Sequence, residues 1–118
     1  MYKYKAYLYK DENGKSEINS FIEKLQNSKS KDEIVLVNKI ILYIRYLKEK
    51  GLSLGEPYIK QITEDIWELR PKKVRLFFSY IGDNNFILLS YFVKKTKRTP
   101  IREIIKAKKI LKNIKKRW

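Results

Sequence analysis

Three strand-like segments follow one another between residues 66 and 93, and the connections between them are too short to hold a helix. The first segment, residues 66–70, stops at Pro71. The second and third, residues 74–81 and 86–93, are separated by Gly82-Asp83-Asn84-Asn85, which is typical of a hairpin turn. Strands joined by tight turns run antiparallel, because parallel neighbours need a crossover of a dozen or more residues. This part of the chain therefore predicts an antiparallel sheet.

The preceding residues predict one further strand and two helices. Residues 2–9 alternate between two sets of side chains, as in a half-buried strand. Ser16 is a candidate N-cap of a first helix, and a second helix is expected from about residue 32 to residue 50, with Gly51 ending it. The second helix is apolar on most sides, so it should cover one face of the sheet. Residues 52–65 are predicted to be a connector.

A last helix is predicted for residues 101–118, with Thr99 as N-cap and Pro100 at the first position. Its expected apolar stripe consists of Ile101, Ile104, Ile105, Leu111 and Ile114. The complete order, β-α-α-β-β-β-α, predicts an α+β fold: a small, mostly antiparallel sheet packed against two N-terminal helices, with a basic C-terminal helix. At 118 residues the chain is expected to form a single domain, residues 1–118.

Positive charge is concentrated in the C-terminal part of the chain. The 28 Lys and Arg residues exceed the 13 Asp and Glu residues by 15. Residues 94–118 alone hold 12 basic side chains and one acidic one, Glu103. Such a field attracts polyanions, such as nucleic acid, an acidic membrane surface or an acidic protein. The alternative is a solvated helix face, although balanced charge would keep a helix in solution equally well.

The chain contains neither histidine nor cysteine. Disulfides, thiolate chemistry and every mechanism that pairs a nucleophile with histidine are therefore excluded, and a zinc site would have to consist of carboxylates. No metal site and no cofactor are predicted. The first residues lack the apolar core of a signal peptide, and the apolar runs are short, so we expect a cytoplasmic protein without a membrane partner.

Strand alternation places an arginine in an unusual position. Arg75 lies within the apolar segment 74–78, on the opposite face from Val74 and Leu76. A charged side chain in such a segment either forms an ion pair within the protein or binds a ligand. One interpretation pairs Arg75 with Glu68 across the strands, and the other has Arg70 and Arg75 converging on a phosphate.

A second cluster of cations follows the last strand. It contains Lys94, Lys95, Lys97 and Arg98 and leads into the N-terminus of the last helix. Helix N-termini favour anions, so the cluster predicts a phosphate cradle, with charge in a solvated loop as the alternative. If Phe77 and Tyr91 are exposed nearby, they could stack on bases; if they are core residues, they need no function.

These segments resemble the RelE/HigB toxin family, and most closely its phage-related HigB-like branch. The resemblance covers roughly residues 52–107 by motif and the whole chain by element order. It is carried by the segments Trp67-Glu68-Leu69-Arg70, Val74-Arg75-Leu76-Phe77-Phe78, Ile87-Leu88-Leu89-Ser90-Tyr91-Phe92-Val93-Lys94-Lys95-Thr96 and Thr99-Pro100, with Glu103-Ile104 and Ala107. Many relatives carry histidine at the position of Ser90.

The resemblance implies the toxin of a type II toxin–antitoxin system, an endoribonuclease that cuts translated mRNA in the ribosomal A site. No metal is required in that family, because the 2′-hydroxyl of the mRNA attacks the adjacent phosphate. The implied catalytic residues are Arg70 and Arg75, which would stabilise the phosphate, and the basic pair Lys94 and Lys95. Apart from the resemblance, a lysine of lowered pKa or Tyr91 is predicted to move protons, because either group can act as acid or base when its neighbours tune it. The predicted RNA and ribosome contacts are Arg98, which extends the basic pair of the motif, and Lys97, Lys73, Phe77, Lys109, Lys112 and Lys116, which are chosen for their charge or aromatic ring. The implied partners are the ribosome, mRNA and an antitoxin, expected to be a small helix-turn-helix protein from the adjacent gene.

Two other functions fit the same sequence. Relatives of the ParE type poison DNA gyrase on the same fold and cleave no RNA. A non-catalytic RNA-binding or ribosome-binding module would account for the charge alone. The set formed by Arg70, Arg75, Lys94 and Lys95 favours the nuclease, since a gyrase poison has no need of convergent phosphate ligands.

Overall fold

The computed structural model describes residues 2–116, which form a mixed sheet with helices on both faces. Its strands are β1 (Lys5–Leu8), β2 (Ile59–Gln61), β3 (Trp67–Leu69), β4 (Val74–Tyr80) and β5 (Asn85–Val93), and its helices are α1 (Glu17–Gln26), α2 (Lys31–Lys50) and α3 (Ile101–Lys116). The predicted α+β fold is confirmed. Arg117 and Trp118, predicted to continue the last helix, lie outside the described residues.

The five strands are arranged in the order β1-β5-β4-β3-β2. The strands from β2 to β5 pair antiparallel with their neighbours, whereas β1 pairs parallel with β5 at the edge of the sheet. β5 is bulged at Leu89, because Phe77 pairs with Ser90 while Phe78 pairs with Leu88. The bulge reverses the alternation of side chains along β5, which decides where its C-terminal residues point.

One face of the sheet packs against α1 and α2. Leu36, Val37, Ile40 and Leu47 of α2 are buried against strand residues such as Phe78. Both helices start at serine caps, since Ser16 and Ser30 accept hydrogen bonds from backbone N–H groups of the first turn.

Gly51 ends α2 as predicted, with a φ of +58°. A Cβ atom at this position would lie 2.7 Å from the ring of Tyr4, so the close approach of β1 requires glycine as much as the backbone angle does.

The other face of the sheet is covered by α3. Phe77, Leu89 and Phe92 are buried against Ala107, Leu111 and Ile114. The prediction that Phe77 could be exposed to stack on RNA bases is wrong, because α3 folds back over it and leaves it 0% exposed. The predicted apolar stripe of α3 is also partly wrong, since Ile101 and Ile105 point into solvent.

The segment predicted as a connector contains an additional strand. After a short 3-10 turn, Gly51–Leu54, the three residues of β2 pair with β3 at the edge opposite β1. Within residues 2–116 no helix is long and apolar enough to cross a bilayer.

Candidate anion-binding site

The candidate site lies on the α3 side of the sheet, where β3 ends and β4 begins. Alternation along these strands places Glu68, Arg70 and Arg75 on the same face. Glu68 pairs in register with Phe77, two residues from Arg75. Its side chain is 2% exposed, which is rare for a carboxylate unless it is paired.

Glu68 holds both arginines and the segment before α3. Its Oε1 lies 3.4 Å from Nε of Arg70 and 3.7 Å from Nε of Arg75. Its Oε2 accepts a hydrogen bond of 2.9 Å from the hydroxyl of Thr99. The structure therefore contains the pairing of Arg75 with Glu68, and it also brings the two arginines together. Two guanidinium groups on one carboxylate leave one positive charge in excess.

Arg75 is fixed by the backbone as well as by Glu68. Its Nη1 donates hydrogen bonds to the carbonyl oxygens of Lys72, at 2.6 Å, and Val74, at 3.0 Å. Burial lowers the pKa of Arg75 below its ordinary value, the charge of Arg70 lowers it further, and Glu68 opposes the shift. A guanidinium is not deprotonated in proteins, so Arg75 carries its positive charge at neutral pH.

Arg70 is the more accessible of the two arginines, with 23% of its side chain exposed. Its Nε is buried but has no aligned hydrogen-bond acceptor among the described residues, so its contact with Glu68 is an ion pair without a hydrogen bond. A partly exposed guanidinium next to an excess positive charge is suited to an anion.

Further cations lie at the same end of the sheet, and one of them, Lys73, lines a cavity with Phe21 and Leu36 on the α1–α2 side. The N–H of Lys94 donates to the carbonyl of Lys73 at 2.7 Å, which extends the pairing of β4 and β5 beyond the strands. Lys73, Lys95, Lys97 and Arg98 are exposed, whereas Lys94 is partly buried. Since the hydroxyl of Thr99 is bound to Glu68, the loop 94–98 is anchored beside the arginines.

Tyr91 does not join this site. The bulge in β5 turns its side chain to the α1 side of the sheet, where its ring stacks on Phe21 with centroids 4.2 Å apart. Its backbone N–H faces Glu17, which also binds Lys106 at 2.8 Å. Burial raises the pKa of Tyr91, the Glu17 carboxylate raises it further, and Lys106 opposes the shift. The phenol is therefore protonated at neutral pH.

The lysines of α3 form a separate basic surface. Lys112 and Lys116 line a cavity of about 600 Å³, where their neighbour Lys115 binds Asp65 at 3.2 Å. Lys109 lines a different cavity, of about 380 Å³, with Arg102. Asp65, which binds Lys115, precedes β3, whereas Arg70 follows β3. The α3 lysines therefore lie toward the other end of β3 and extend the basic surface away from the arginines.

Several contributions to the site were missed by sequence reasoning. Thr99 was predicted only as a helix cap, yet its hydroxyl binds Glu68, and Pro100 supplies the carbonyl that accepts the first N–H groups of α3. Lys72 provides a carbonyl ligand for Arg75 from a backbone with a φ of +52°. The turn sequence Pro71-Lys72-Lys73 could have indicated a tight turn before β4. It could not have indicated a carbonyl ligand for Arg75, because every residue type has a backbone carbonyl. The hydroxyl of Ser90 is buried without a partner among the described residues.

Comparison with protein families shows which family the chain belongs to. The family described as phage-derived protein Gp49-like (DUF891) matches residues 20–112, a region that extends from α1 into α3 and includes both arginines. The chain belongs to this family. Gp49-like proteins are toxins of the toxin–antitoxin type within the RelE/ParE-like superfamily, which implies an antitoxin as partner. No curated protein matches the chain significantly.

Proposed function

We propose that this Gp49-like toxin is a HigB-like endoribonuclease that cuts mRNA on the ribosome. The observation that supports it best is the convergence of Arg70 and Arg75 on the buried carboxylate of Glu68. In the proposed reaction the 2′-hydroxyl of the mRNA attacks the adjacent phosphorus and gives up its proton. The bond to the 5′-oxygen of the next nucleotide breaks, and that oxygen takes up a proton. The products are a 2′,3′-cyclic phosphate and a free 5′-hydroxyl.

The role we assign to the arginines is electrostatic. Negative charge grows on the phosphate oxygens as the pentavalent transition state forms, and fixed cationic donors stabilise it more than they stabilise the substrate. Planar guanidinium groups present two parallel donors, which suits phosphate oxygens. Glu68 keeps the guanidinium groups oriented before the substrate arrives, and Lys94 and Lys95 add cations at the rim of the site.

Ribosome dependence follows from the side chains available. An independent ribonuclease needs an acid and a base that titrate near neutral pH, most often histidine, and this chain has none. The ordinary pKa of a lysine or tyrosine side chain is about 10. Arginines hold a phosphate but do not align a flexible RNA for in-line attack, and such alignment is worth up to about 7–11 kcal/mol. In our proposal the ribosome supplies this alignment of the RNA.

The experiment is a side-by-side digestion of one mRNA, naked and on programmed ribosomes, with a naked-RNA control that contains EDTA. We expect rapid cutting only on the ribosome. Equal rates on naked RNA would contradict the mechanism. If neither RNA is cut and the protein instead inhibits supercoiling by DNA gyrase, the ParE-like function is correct.

The proposed contribution of α3 is binding rather than chemistry. Replacing Lys109, Lys112 and Lys116 together by alanine should weaken ribosome binding about tenfold in 150 mM salt and reduce its salt dependence, because fewer phosphate counterions are released. Cleavage at saturating toxin should change less than twofold. The control removes the same charge from the α1–α2 region, with Lys24, Lys29 and Lys31 replaced. A large loss at saturation would place these lysines in the chemical step.

Tyr91 should be dispensable for cleavage because it lies on the opposite face from the arginines. We expect Tyr91→Phe to cut programmed mRNA within about twofold of the wild type. Its raised pKa has a separate consequence: the unfolded chain loses this proton first, so the wild type should lose stability relative to Tyr91→Phe as the pH rises above about 10. Thermal unfolding at pH 8 and pH 10.5 measures the difference, and a tenfold loss of cleavage would return Tyr91 to the catalytic set.

We infer that the antitoxin presents acidic or apolar surface, since the toxin carries a formal charge of +15. A small helix-turn-helix protein encoded next to the toxin is the expected candidate. Association should slow as salt rises, which stopped-flow mixing at 50 and 500 mM NaCl measures. Equal association rates would rule out electrostatic steering.

A further inference from the structure

Another basic surface, apart from the arginine site and the α3 lysines, lies along β1, at the opposite edge of the sheet from β2. A groove of about 680 Å³ runs along this strand and is lined by Tyr2, Lys3, Lys5 and Tyr7, with Lys48 from α2. Lys5 pairs with Asn85 at the start of β5, whereas Arg75 pairs with Phe92 near its end. Seven residues of strand correspond to roughly 20 Å, so this groove is remote from the arginine site.

Two tyrosines of the groove are open to solvent. Tyr2 is 49% exposed and Tyr7 is 48% exposed. Tyr4, between them, behaves differently, since its ring packs on Phe86 with centroids 5.3 Å apart and belongs to the core. Structural packing therefore accounts for Tyr4 but leaves half of the surface of Tyr2 and Tyr7 free for another molecule.

A cation lies beside the Tyr2 ring, and two more line the same groove as Tyr7. Lys3 and Lys5 alternate with the tyrosines and are exposed, and Nζ of Lys48 lies 5.1 Å from the centre of the Tyr2 ring. The acidic side chain that lines the groove is Asp83, from the β4–β5 turn. Three lysines against one carboxylate leave the groove positive.

We propose that this groove, which we call the β1 groove, binds single-stranded nucleic acid. Flat rings offer stacking surfaces to unpaired bases, and neighbouring lysines neutralise the phosphates between them; proteins that bind single strands without sequence preference combine these two features. A duplex offers phosphates but keeps its bases stacked on each other. The tyrosines should therefore contribute only to binding of a single strand. The proposal goes beyond cleavage and does not depend on it.

The test measures fluorescence anisotropy of labelled ten-nucleotide oligo-U, oligo-dT and a ten-base-pair RNA duplex with the full chain. Replacing Tyr2 and Tyr7 together by alanine should weaken binding of the single strands about tenfold or more and leave duplex binding unchanged. The control is Tyr46→Ala, because Tyr46 lies in a separate aromatic cluster with Tyr43 and Tyr58. Comparison of oligo-U with oligo-dT shows whether RNA or DNA is preferred.

A second variant tests the electrostatic contribution of the groove lysines to binding of the single strand. Replacing Lys3, Lys5 and Lys48 by alanine should reduce the slope of log affinity against log salt by about 2 for the single strand. The control, Lys24, Lys29 and Lys31 replaced together, changes the net charge equally but should keep the slope. Circular dichroism and thermal unfolding establish that each variant is folded. Ultraviolet cross-links from bound oligo-U should map to the peptide that contains Tyr2 and Tyr7.

Any of three nucleic-acid results would overturn the proposal: unchanged single-strand binding by the tyrosine variant, an equal loss of single-strand and duplex binding, or cross-links confined to α3. The proposal would also be overturned if the tyrosine variant kept RNA binding but lost antitoxin binding, since the β1 groove would then be a protein interface. Failure of the proposed nuclease function is a separate outcome, because it is measured as cleavage on ribosomes by the wild type.

Discussion

Replacing Arg75 by alanine should lower the single-turnover rate of mRNA cleavage on programmed ribosomes by about 10²- to 10³-fold. Removal of one fixed donor to a developing negative charge typically has an effect of this size. Arg75→Lys should recover only part of the rate, because an ammonium keeps the charge but loses the planar pair of donors. We expect a similar loss for Arg70→Ala, which removes the more accessible guanidinium.

The structure indicates that Arg75→Ala remains folded. Glu68 would keep Arg70 at 3.4 Å and the hydroxyl of Thr99 at 2.9 Å, so its buried charge stays compensated. Arg45→Ala is the matched control, since Arg45 is an exposed arginine on α2, which covers the other face of the sheet. If Arg75→Ala cuts mRNA as fast as the wild type, Arg75 serves only to pair with Glu68 and the proposed site is wrong.

The central strands were predictable to within about one residue because turn residues bound them. Pro71 follows the end of β3, and Gly82-Asp83-Asn84 separates β4 from β5. Alternation within β3 and β4 placed Glu68, Arg70 and Arg75 together. β2 was missed because it has three residues and depends on a neighbour for its pairing, through contacts such as the N–H of Arg70 bound to the carbonyl of Tyr58. The parallel pairing of β1 depends on the path of α1 and α2, which no local pattern encodes.

The errors in the candidate site have two physical causes. Phe77 was expected to be available to RNA, but α3 folds back over that face and buries it. Alternation along a strand predicts on which face of the sheet a side chain lies, but it does not predict which element packs on that face. Tyr91 was grouped with the site because it lies three residues before Lys94 along the chain. The bulge at Leu89 reverses the alternation and carries Tyr91 to the other side of the sheet.

Replacing Glu68 by glutamine should lower the free energy of unfolding by about 3 kcal/mol. The substitution keeps the shape of the side chain but leaves the guanidinium groups of Arg70 and Arg75 facing each other without their shared anion. Removing one partner of a buried ion pair costs about 3–5 kcal/mol, and the partial exposure of Arg70 moves the expected value to the lower end. Urea denaturation followed by tryptophan fluorescence measures the change.

Glu103→Gln is the control for loss of a carboxylate. Its pair with Arg102, at 3.8 Å, involves an arginine that is 85% exposed, so its removal should cost less than about 1 kcal/mol. Adding Arg75→Met to Glu68→Gln should recover part of the lost stability, because it removes one of the two uncompensated charges. If the single variant is as stable as the wild type, Glu68 does not hold the arginines together.

The same variant tests whether the arginines accept an oxyanion in place of Glu68. With the carboxylate neutralised, sulfate or phosphate should raise the melting temperature of Glu68→Gln by several degrees more than that of the wild type, since an anion that binds only the folded state stabilises it by mass action. Chloride at equal ionic strength controls for screening, and the effect should disappear when Arg70 and Arg75 are also replaced. A site that gains stability from a tetrahedral anion can hold a phosphate between these two side chains. If sulfate and phosphate raise the melting temperature of Glu68→Gln no more than chloride does, the arginines are a structural pair closed to substrate.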